Sequence, residues 1–449
     1  MRKFEFLRLG VVAGLLGTAD VSLAGEVGSG FEVVHYEVRL RPDVEAATVS
    51  GQQVMHITIT SSDVTQLAFS PNALTVAEAQ IDGRSVDVRS GKDAIVFSLA
   101  SAYPVGTSVS LSFSYRGVPA RGLTVAPGGI YTGYFACEWM ICLQDAPGDK
   151  ATVALDLFLP TGMRSLGVGR QVSTTDLGNG LSLHRWRSDR PTSPYLLAFA
   201  AGQFPEHVQD IPQGKLFYLD GTGEAADLET LFSEVPAMVA FLSERAGVGL
   251  PDERYYQLLV PGRVAQETMT FSLIGLRELE LEADDPSSGW VIIHELSHQW
   301  WGNRVTTKTW GDFWLNEGFA TYMAAAWKQH RYGEQAYQKE LDVLRGRRQR
   351  LQELGYDKPL TWAGLYPSLA HRRTVQYSKG ALFLSVLRET VGDEAFWRGL
   401  KAYTQENLDS TVESVDFQRA MEEASGADLG PLFAEWVYVG DEPAVAGVD

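Results

Sequence analysis

From Phe31 to about Phe204 the chain alternates short apolar runs with polar positions. Val54-Met55-His56-Ile57-Thr58-Ile59-Thr60, Ala94-Ile95-Val96-Phe97-Ser98-Leu99 and Val109-Ser110-Leu111-Ser112-Phe113-Ser114-Tyr115 carry the pattern most clearly. Successive side chains of a strand point to opposite faces, so a period of two broken by Asp-Gly and Gly-Lys predicts an all-β region. No helix longer than two turns is expected there. After Pro205 the period changes. Leu228 to Ala246 has apolar residues at helical spacing, and Tyr255 to Val260 reads as a strand. From Ser287 onward the spacing predicts helices over 289–301, 313–330, 334–354, 376–391, 393–406, 414–424 and 428–438. The fold class expected is therefore α+β and multidomain. An N-terminal β domain (25–205) precedes a mixed, mainly helical domain (206–449) with a small sheet near its start. The length of 449 residues, large for a single core, agrees with that division.

The first 24 residues belong to neither pattern. Arg2, Lys3 and Arg8 precede a short apolar run, Leu9 to Ala19, and Ser22-Leu23-Ala24 is a small-x-small cleavage site. The run is too short to span a bilayer and no later stretch is apolar enough. A signal peptide over 1–24 and a periplasmic or secreted mature protein without a membrane span are expected. In such an oxidising compartment Cys137 and Cys142, the two cysteines of the chain, either form a disulfide or stay as buried thiols. Their odd separation suits a loop rather than one straight strand. The formal net charge is -18, and removing three basic and two acidic residues with the signal makes it more negative still. That balance argues against nucleic acid and anionic membranes as partners.

Candidate chemistry sits in Val291-Ile292-Ile293-His294-Glu295-Leu296-Ser297-His298-Gln299-Trp300-Trp301. The run lacks Gly and Pro and reads as a buried helix. Positions i and i+4 of a helix share a face, so His294 and His298 can reach one metal ion. Glu295 then projects beside the metal, where it can take a proton from water. With 8 His in 449 residues such a spacing is rare by chance. Glu317, in Trp314-Leu315-Asn316-Glu317-Gly318-Phe319, lies 19 positions after His298. The gap allows the first helix to end near Gly302, a loop to follow, and a second helix from about Phe313 to aim Glu317 at the same ion. Two neutral imidazoles, one carboxylate and a position left for water describe a catalytic zinc site rather than a closed structural one. The expected cofactor is one Zn2+. Asn316 is a candidate either for orienting a ligand or for capping the Glu317 helix.

These segments resemble the zinc aminopeptidases of the aminopeptidase N and leukotriene-hydrolase family, a gluzincin family. The resemblance covers about residues 33 to 440. It rests on His294-Glu295-Leu296-Ser297-His298, on Trp314-Leu315-Asn316-Glu317-Gly318 and on Tyr377-Ser378-Lys379-Gly380-Ala381. Tyr36-Glu37-Val38-Arg39-Leu40, Gln144-Asp145-Ala146-Pro147 and Ser193-Pro194-Tyr195-Leu196 add weaker matches. It implies a thermolysin-like catalytic domain, with Tyr377 steadying the tetrahedral intermediate. It also implies a carboxylate that holds the substrate's free amine. The family's Gly-x-Met-Glu-Asn segment for this purpose is not intact here: Val264-Ala265-Gln266-Glu267-Thr268-Met269 takes its place. Glu267 is the carboxylate available, with a strand-edge surface role as its alternative and Met269 as the residue an ungapped match would put there. Glu138 in Ala136-Cys137-Glu138 resembles the polar contact from the first domain, with a solvent-facing loop position as its alternative. Larger family members add a helical-repeat domain after the segment that matches 432–438, so a minimal form without that domain is expected.

The function these residues imply is a metallopeptidase, foremost an aminopeptidase acting on peptide or protein substrates through zinc and the general base Glu295. An endopeptidase or glycopeptide-directed protease on the same scaffold is the alternative, kept open by the altered amine-anchor segment. An inactive zinc-containing binding protein is the second alternative.

Overall fold

The computed structural model describes residues 26–438 except 283, 284, 286 and 288, so the export segment expected over 1–24 lies outside the described residues. The period-two runs form the strands that the alternation implies. An eight-stranded sheet orders Arg170–Gly178, Leu181–Thr192, Ala151–Pro160, Phe31–Asp43, Thr48–Ile59, Ser108–Gly117, Thr75–Ile81 and Arg84–Ser85 side by side. One pairing, Phe31–Asp43 with Ala151–Pro160, is parallel. Phe31 and Val33 face the core, then Tyr36, Val38 and Leu40. The step from Val33 to Tyr36 breaks the period because the register shifts between Val33 and His35, a bulge that leaves Val34 exposed. A four-stranded and a three-stranded sheet complete this region. Its helical content is confined to short turns such as Ala136–Glu138 and Pro194–Leu196.

A five-stranded sheet begins with Glu206–Ile211 and continues through Gly214–Asp220, Arg254–Val260, Phe271–Gly275 and the edge strand Ala265–Glu267. Its three middle strands are parallel and both edges antiparallel. Arg254–Val260 carries an almost unbroken apolar run because both of its faces are covered. Tyr256, Leu258 and Val260 enter the core shared with the N-terminal sheets, whereas Tyr255 and Leu259 enter the helical core. The sheet is thus the layer between the two hydrophobic cores.

The helices are Val235–Ala246, Val291–Ser297, Trp314–Tyr332, Glu334–Glu353, Gly380–Val391, Asp393–Glu406, Ser414–Ser425 and Gly430–Trp436, with shorter pieces between them. Most match the predicted spans within a turn. The motif helix is shorter than predicted: regular geometry ends at Ser297 rather than near Trp301. The chain then tightens, Gln299 N donating to Leu296 O (3.0 Å) and Trp300 N to Ser297 O (3.1 Å). Apolar spacing continues through Trp300 and Trp301 because both rings are buried, and burial alone does not keep a helix going. The Tyr377 region also differs. Residues Leu369–Arg373 are already helical, and Thr374–Lys379 is a π-turn before Gly380–Val391. Cys137 and Cys142 form a disulfide in a buried loop, with Cα atoms 5.1 Å apart. That loop is clamped by Gln53, which exchanges two hydrogen bonds with the Ile141 backbone. Among the described residues no helix is long and apolar enough to cross a membrane.

Candidate active site

The motif helix packs against the Glu317 helix on one side and the edge strand Ala265–Glu267 on the other. His294 Nε2 lies 3.2 Å from His298 Nε2 and 3.2 Å from Glu317 Oε2, and His298 Nε2 lies 3.4 Å from the same oxygen. Three ligand atoms converge on one point. Donors ~2.0–2.1 Å from a tetrahedral zinc stand ~3.3 Å from each other, so the triangle has the size zinc requires. His298 Nδ1 donates to the Trp301 carbonyl at 2.9 Å, which fixes the tautomer and leaves Nε2 free to bind metal. This bond gives the tightened turn after Ser297 a purpose, since it swings the Trp301 carbonyl back to His298. Gly302 completes the turn with φ +123, and a Cβ there would stand 2.8 Å from His298 Nδ1.

Glu295 is buried, and its Oε2 has no hydrogen-bond partner. Glu267, Glu295 and His298 form a second convergent group whose ligand-type atoms lie within 4.8 Å of one another. Glu267 is therefore inside the site and not on a strand-edge surface. Burial pushes its carboxyl up to about 7 and that of Glu295 well above the usual range. Without a metal, burial would lower His298, but the charges of Glu267 and Glu317 outweigh it and hold that imidazole up at about 10, so a metal at Nε2 takes the place of a proton. Glu317 moves the other way: His298 and His294 overcome its burial and keep it ionised. Three carboxylates thus share one buried space, and no Lys or Arg pairs with Glu267, Glu295 or Glu317 among the described residues. The arrangement favours bound cations.

The edge strand is held against the motif by amides. Gln299 Nε2 (3.1 Å) and Asn303 Nδ2 (2.9 Å) both donate to the Thr268 carbonyl, directly after Glu267. Met269 points away from the metal into the N-terminal core. Asn316 is not a cap, because Phe313 precedes the helix and makes no side-chain capping bond. Instead Asn316 accepts from Thr307 N (3.2 Å) and donates to Tyr195 Oη (3.0 Å), tying the Glu317 helix to the first domain.

Tyr377 stacks on His294, with ring centres 5.8 Å apart and planes 6° from parallel. Burial, and then the neighbouring Glu317 carboxylate, raise its hydroxyl pKa, so it remains a proton donor at any ordinary pH. Two glycines permit this closeness. A Cβ on Gly318 would lie 3.0 Å from Gly380 Cα, and one on Gly380 would lie 2.9 Å from Gly318 Cα. The glycines that follow Glu317 and Tyr377-Ser378-Lys379 therefore face each other where the two helices touch. The π-turn adds a residue per turn at this point, as π-turns at functional sites often do.

Glu138 is buried but is not among the carboxylates that converge with the histidines. Its Oε1 accepts from Arg121 Nε at 2.8 Å, its Oε2 is buried without a partner, and no bond joins it to Glu267 among the described residues. Sequence reasoning missed Tyr134. It has φ +57, and its hydroxyl donates to the Ala265 carbonyl at 2.5 Å. The charges of Glu295, Glu267 and Glu317 all act on it, after burial, to raise its pKa. A lone tyrosine in a loop with no motif gave no signal of this role.

Residues 270–436 match the model of the peptidase family M1 domain, a span that includes the three ligands, Glu295 and Tyr377 but not Glu267 or Glu138. The chain is 22% identical over 445 residues to Aminopeptidase 2 of Candida albicans, covering 90% of this chain and 46% of that protein. It is 28% identical over 335 residues to Aminopeptidase N of Lactococcus lactis, covering 70% of this chain and 38% of that one. The chain spans about half the length of the curated relatives it matches. Among solved structures, a two-domain M1 zinc metallopeptidase variant bound to L-tryptophan superposes with a TM-score of 0.77 at 24% identity, covering 93% of this chain and 96% of that one. An M1 zinc metallopeptidase variant from Deinococcus radiodurans bound to a Tyr-Ser-Ala substrate gives 0.75 at 23% identity, with the same coverage.

Proposed function

We propose that the chain is a member of peptidase family M1 and, from that premise, a zinc aminopeptidase that removes N-terminal residues from peptides. The observation that carries this reading is the buried carboxylate of Glu267 beside Glu295 and the metal ligands, with no Lys or Arg paired to it among the described residues. Three carboxylates meet the charge of one divalent ion plus one ammonium group. An N-terminal amine is a cation that a peptide always brings. The unpartnered Oε2 of Glu138 offers a second acceptor from the first domain, weakened by the Arg121 link of its other oxygen.

His294, His298 and Glu317 would hold zinc, which would supply Lewis acidity toward water and the scissile carbonyl. The protein's own residues do the rest. Glu267 fixes the ammonium and so sets which carbonyl faces the metal. The free oxygen of Glu295 removes a proton from the attacking water and then delivers it to the departing amine. The Tyr377 hydroxyl donates to the oxygen on which negative charge develops. His294, stacked on Tyr377, keeps that hydroxyl over the ligand set.

A solved relative carries a tripeptide substrate, which supports a peptide as the substrate class here. Export belongs to the same proposal: the signal-like pattern of 1–24 and the Cys137–Cys142 disulfide both suit a periplasmic or secreted protein. The test is a pair of matched peptides with free and acetylated N-termini. Cleavage of the free form only, with about one zinc per chain by elemental analysis, is the expected result. Equal cleavage of both would transfer the protein to the endopeptidase reading, and zinc without any turnover to that of a binding protein.

A further inference from the structure

The connection from helix Glu334–Glu353 to Tyr377 walls a cavity of about 410 Å³. Trp310, Trp362, Tyr366 and Leu369 give it apolar faces and Arg372 a charge. Trp310 ties the cavity to the site: its ring meets Tyr195 edge-on at 5.1 Å, and Tyr195 is bonded by Asn316, the neighbour of Glu317. The opposite wall is the short helix Leu369–Arg373, which runs directly into the Tyr377 turn. Arg373 precedes Tyr377 by four positions and so shares its side of the helix. Its charge acts on both Tyr377 and Tyr134, the two tyrosines that reach the site from opposite domains.

The charges here differ from those of the surrounding scaffold. Arg348 and Lys379 are tied to Asp357, whereas Arg372 and Arg373 join no ion pair among the described residues. Two adjacent arginines without an ion pair among the described residues, in a chain of net charge -18, are placed to bind an anion. A guanidinium matches a carboxylate with two parallel hydrogen bonds. The order of elements gives the direction. Strand Ala265–Glu267 contacts the motif helix, that helix contacts the Glu317 helix, and the Glu317 helix contacts the Tyr377 turn. Glu267 stands on the first of these elements, Arg373 immediately precedes the last, and the metal ligands stand on the motif helix and the Glu317 helix between them. A peptide whose amine is at Glu267 leads its departing portion toward the arginines.

We propose that Arg373, with Arg372, holds a carboxylate on the leaving-group side of the bound peptide, while Trp310, Trp362 and Tyr366 receive the side chain beside it. The carboxylate comes from the C-terminus of a short peptide or from an acidic side chain of a longer one. Substrates of opposite end charges would then be aligned at both ends. The inference rests on the aminopeptidase reading.

The test compares kcat/KM of the zinc-loaded full chain for Leu-Gly-Phe as free acid, Leu-Gly-Phe-amide and Leu-Gly-Glu-amide. The free acid should exceed Leu-Gly-Phe-amide by about tenfold, mainly through KM, as a screened charge pair allows. In Arg373→Gln, and further in Arg372→Gln/Arg373→Gln, that ratio should fall toward one. Because it is a ratio, a loss of folded enzyme cancels. High activity on Leu-Gly-Glu-amide assigns the carboxylate to acidic side chains as well, and its absence assigns it to peptide C-termini. A wild-type ratio near one, or a ratio unchanged in the double variant, overturns the proposal. N-acetylated Leu-Gly-Phe separates the two levels: its cleavage at the same rate sinks the aminopeptidase reading whatever the acid-to-amide ratio. If no peptide is cleaved, calorimetric binding of acid and amide to zinc-loaded Glu295→Gln reads the same ratio without turnover.

Discussion

The Tyr377–Lys379 segment separates two buried charge clusters that follow opposite rules. Behind it, Lys379 Nζ donates to the Lys358 carbonyl (2.7 Å) and pairs with Asp357 (3.2 Å), while Arg348 reaches the other Asp357 oxygen at 2.9 Å. Burial would raise the Asp357 carboxyl, but Arg348 and Lys379 overcome it and hold it below the usual range. In front, Glu267 and Glu295 lack any such partner, and burial drives both upward. A buried charge that is already matched gives the fold its geometry. A set of like charges left unmatched costs stability, and it persists where ligands supply the missing charge. Lys379 of the Tyr-x-Lys-Gly segment thus belongs to the scaffold, and Tyr377, two residues earlier, belongs to the chemistry.

The largest effect should come from the unmatched side. Glu295→Gln keeps the shape and removes the base, so turnover should drop by about 10^3-fold or more with zinc content unchanged. Retained activity with full zinc would remove Glu295 from the proton path. Tyr377→Phe should follow, with kcat lower by roughly 10^2-fold and KM little changed, because the hydroxyl acts on charge that develops only during reaction. A matching rise in KM would instead assign Tyr377 to substrate packing. On the matched side, Asp357→Asn leaves Lys379 buried without its counter-charge. It should cost about 3 kcal/mol of stability in urea unfolding while zinc content holds. If the variant unfolds like the wild type and loses zinc, the division between scaffold and site is wrong.

Much of the matched and unmatched architecture was legible in the sequence, for local reasons. His294, His298 and Glu317 stand on helices, where residue spacing fixes side-chain direction, and the structure brings all three to one point. The alternation from Phe31 to Phe204 became strands because each strand has one covered face. The parts that were not legible depend on contacts far apart in sequence. Tyr134 reaches Ala265 across 131 positions. The facing glycines Gly318 and Gly380 have no pattern in common until their helices cross. The early end of the motif helix follows from the bond between His298 and the Trp301 carbonyl, whereas the apolar spacing through Trp301 pointed to a longer helix. Glu138 was readable as a candidate, but its Arg121 partner was not.

Asp149 offers a sharper test of the same contrast, since it is a mostly buried carboxylate that, among the described residues, has no basic partner and belongs to no group of metal-ligand type. Its Oδ1 accepts from Val33 N at 3.3 Å, and its Oδ2 is buried without a partner, as is the hydroxyl of Tyr36. Burial, only partly offset by the Val33 bond, pushes its carboxyl up to about 7 from 3.8. The native state therefore holds this proton over a range in which the unfolded chain has released it. Native protein binds more protons than unfolded protein between those two values, so the stability contributed by Asp149 is fully present below pH 3.8 and is lost as pH rises toward 7. Asp149→Asn imitates the protonated form at every pH and should abolish this slope. Unfolding free energies of wild type and variant, measured from pH 4 to 7, should diverge in favour of the variant by roughly 3–4 kcal/mol at the upper end. Parallel curves would show that Asp149 is already ionised in the folded state. A carboxylate could then be buried here at no cost, and lack of a partner would no longer distinguish the metal centre from the rest of the interior.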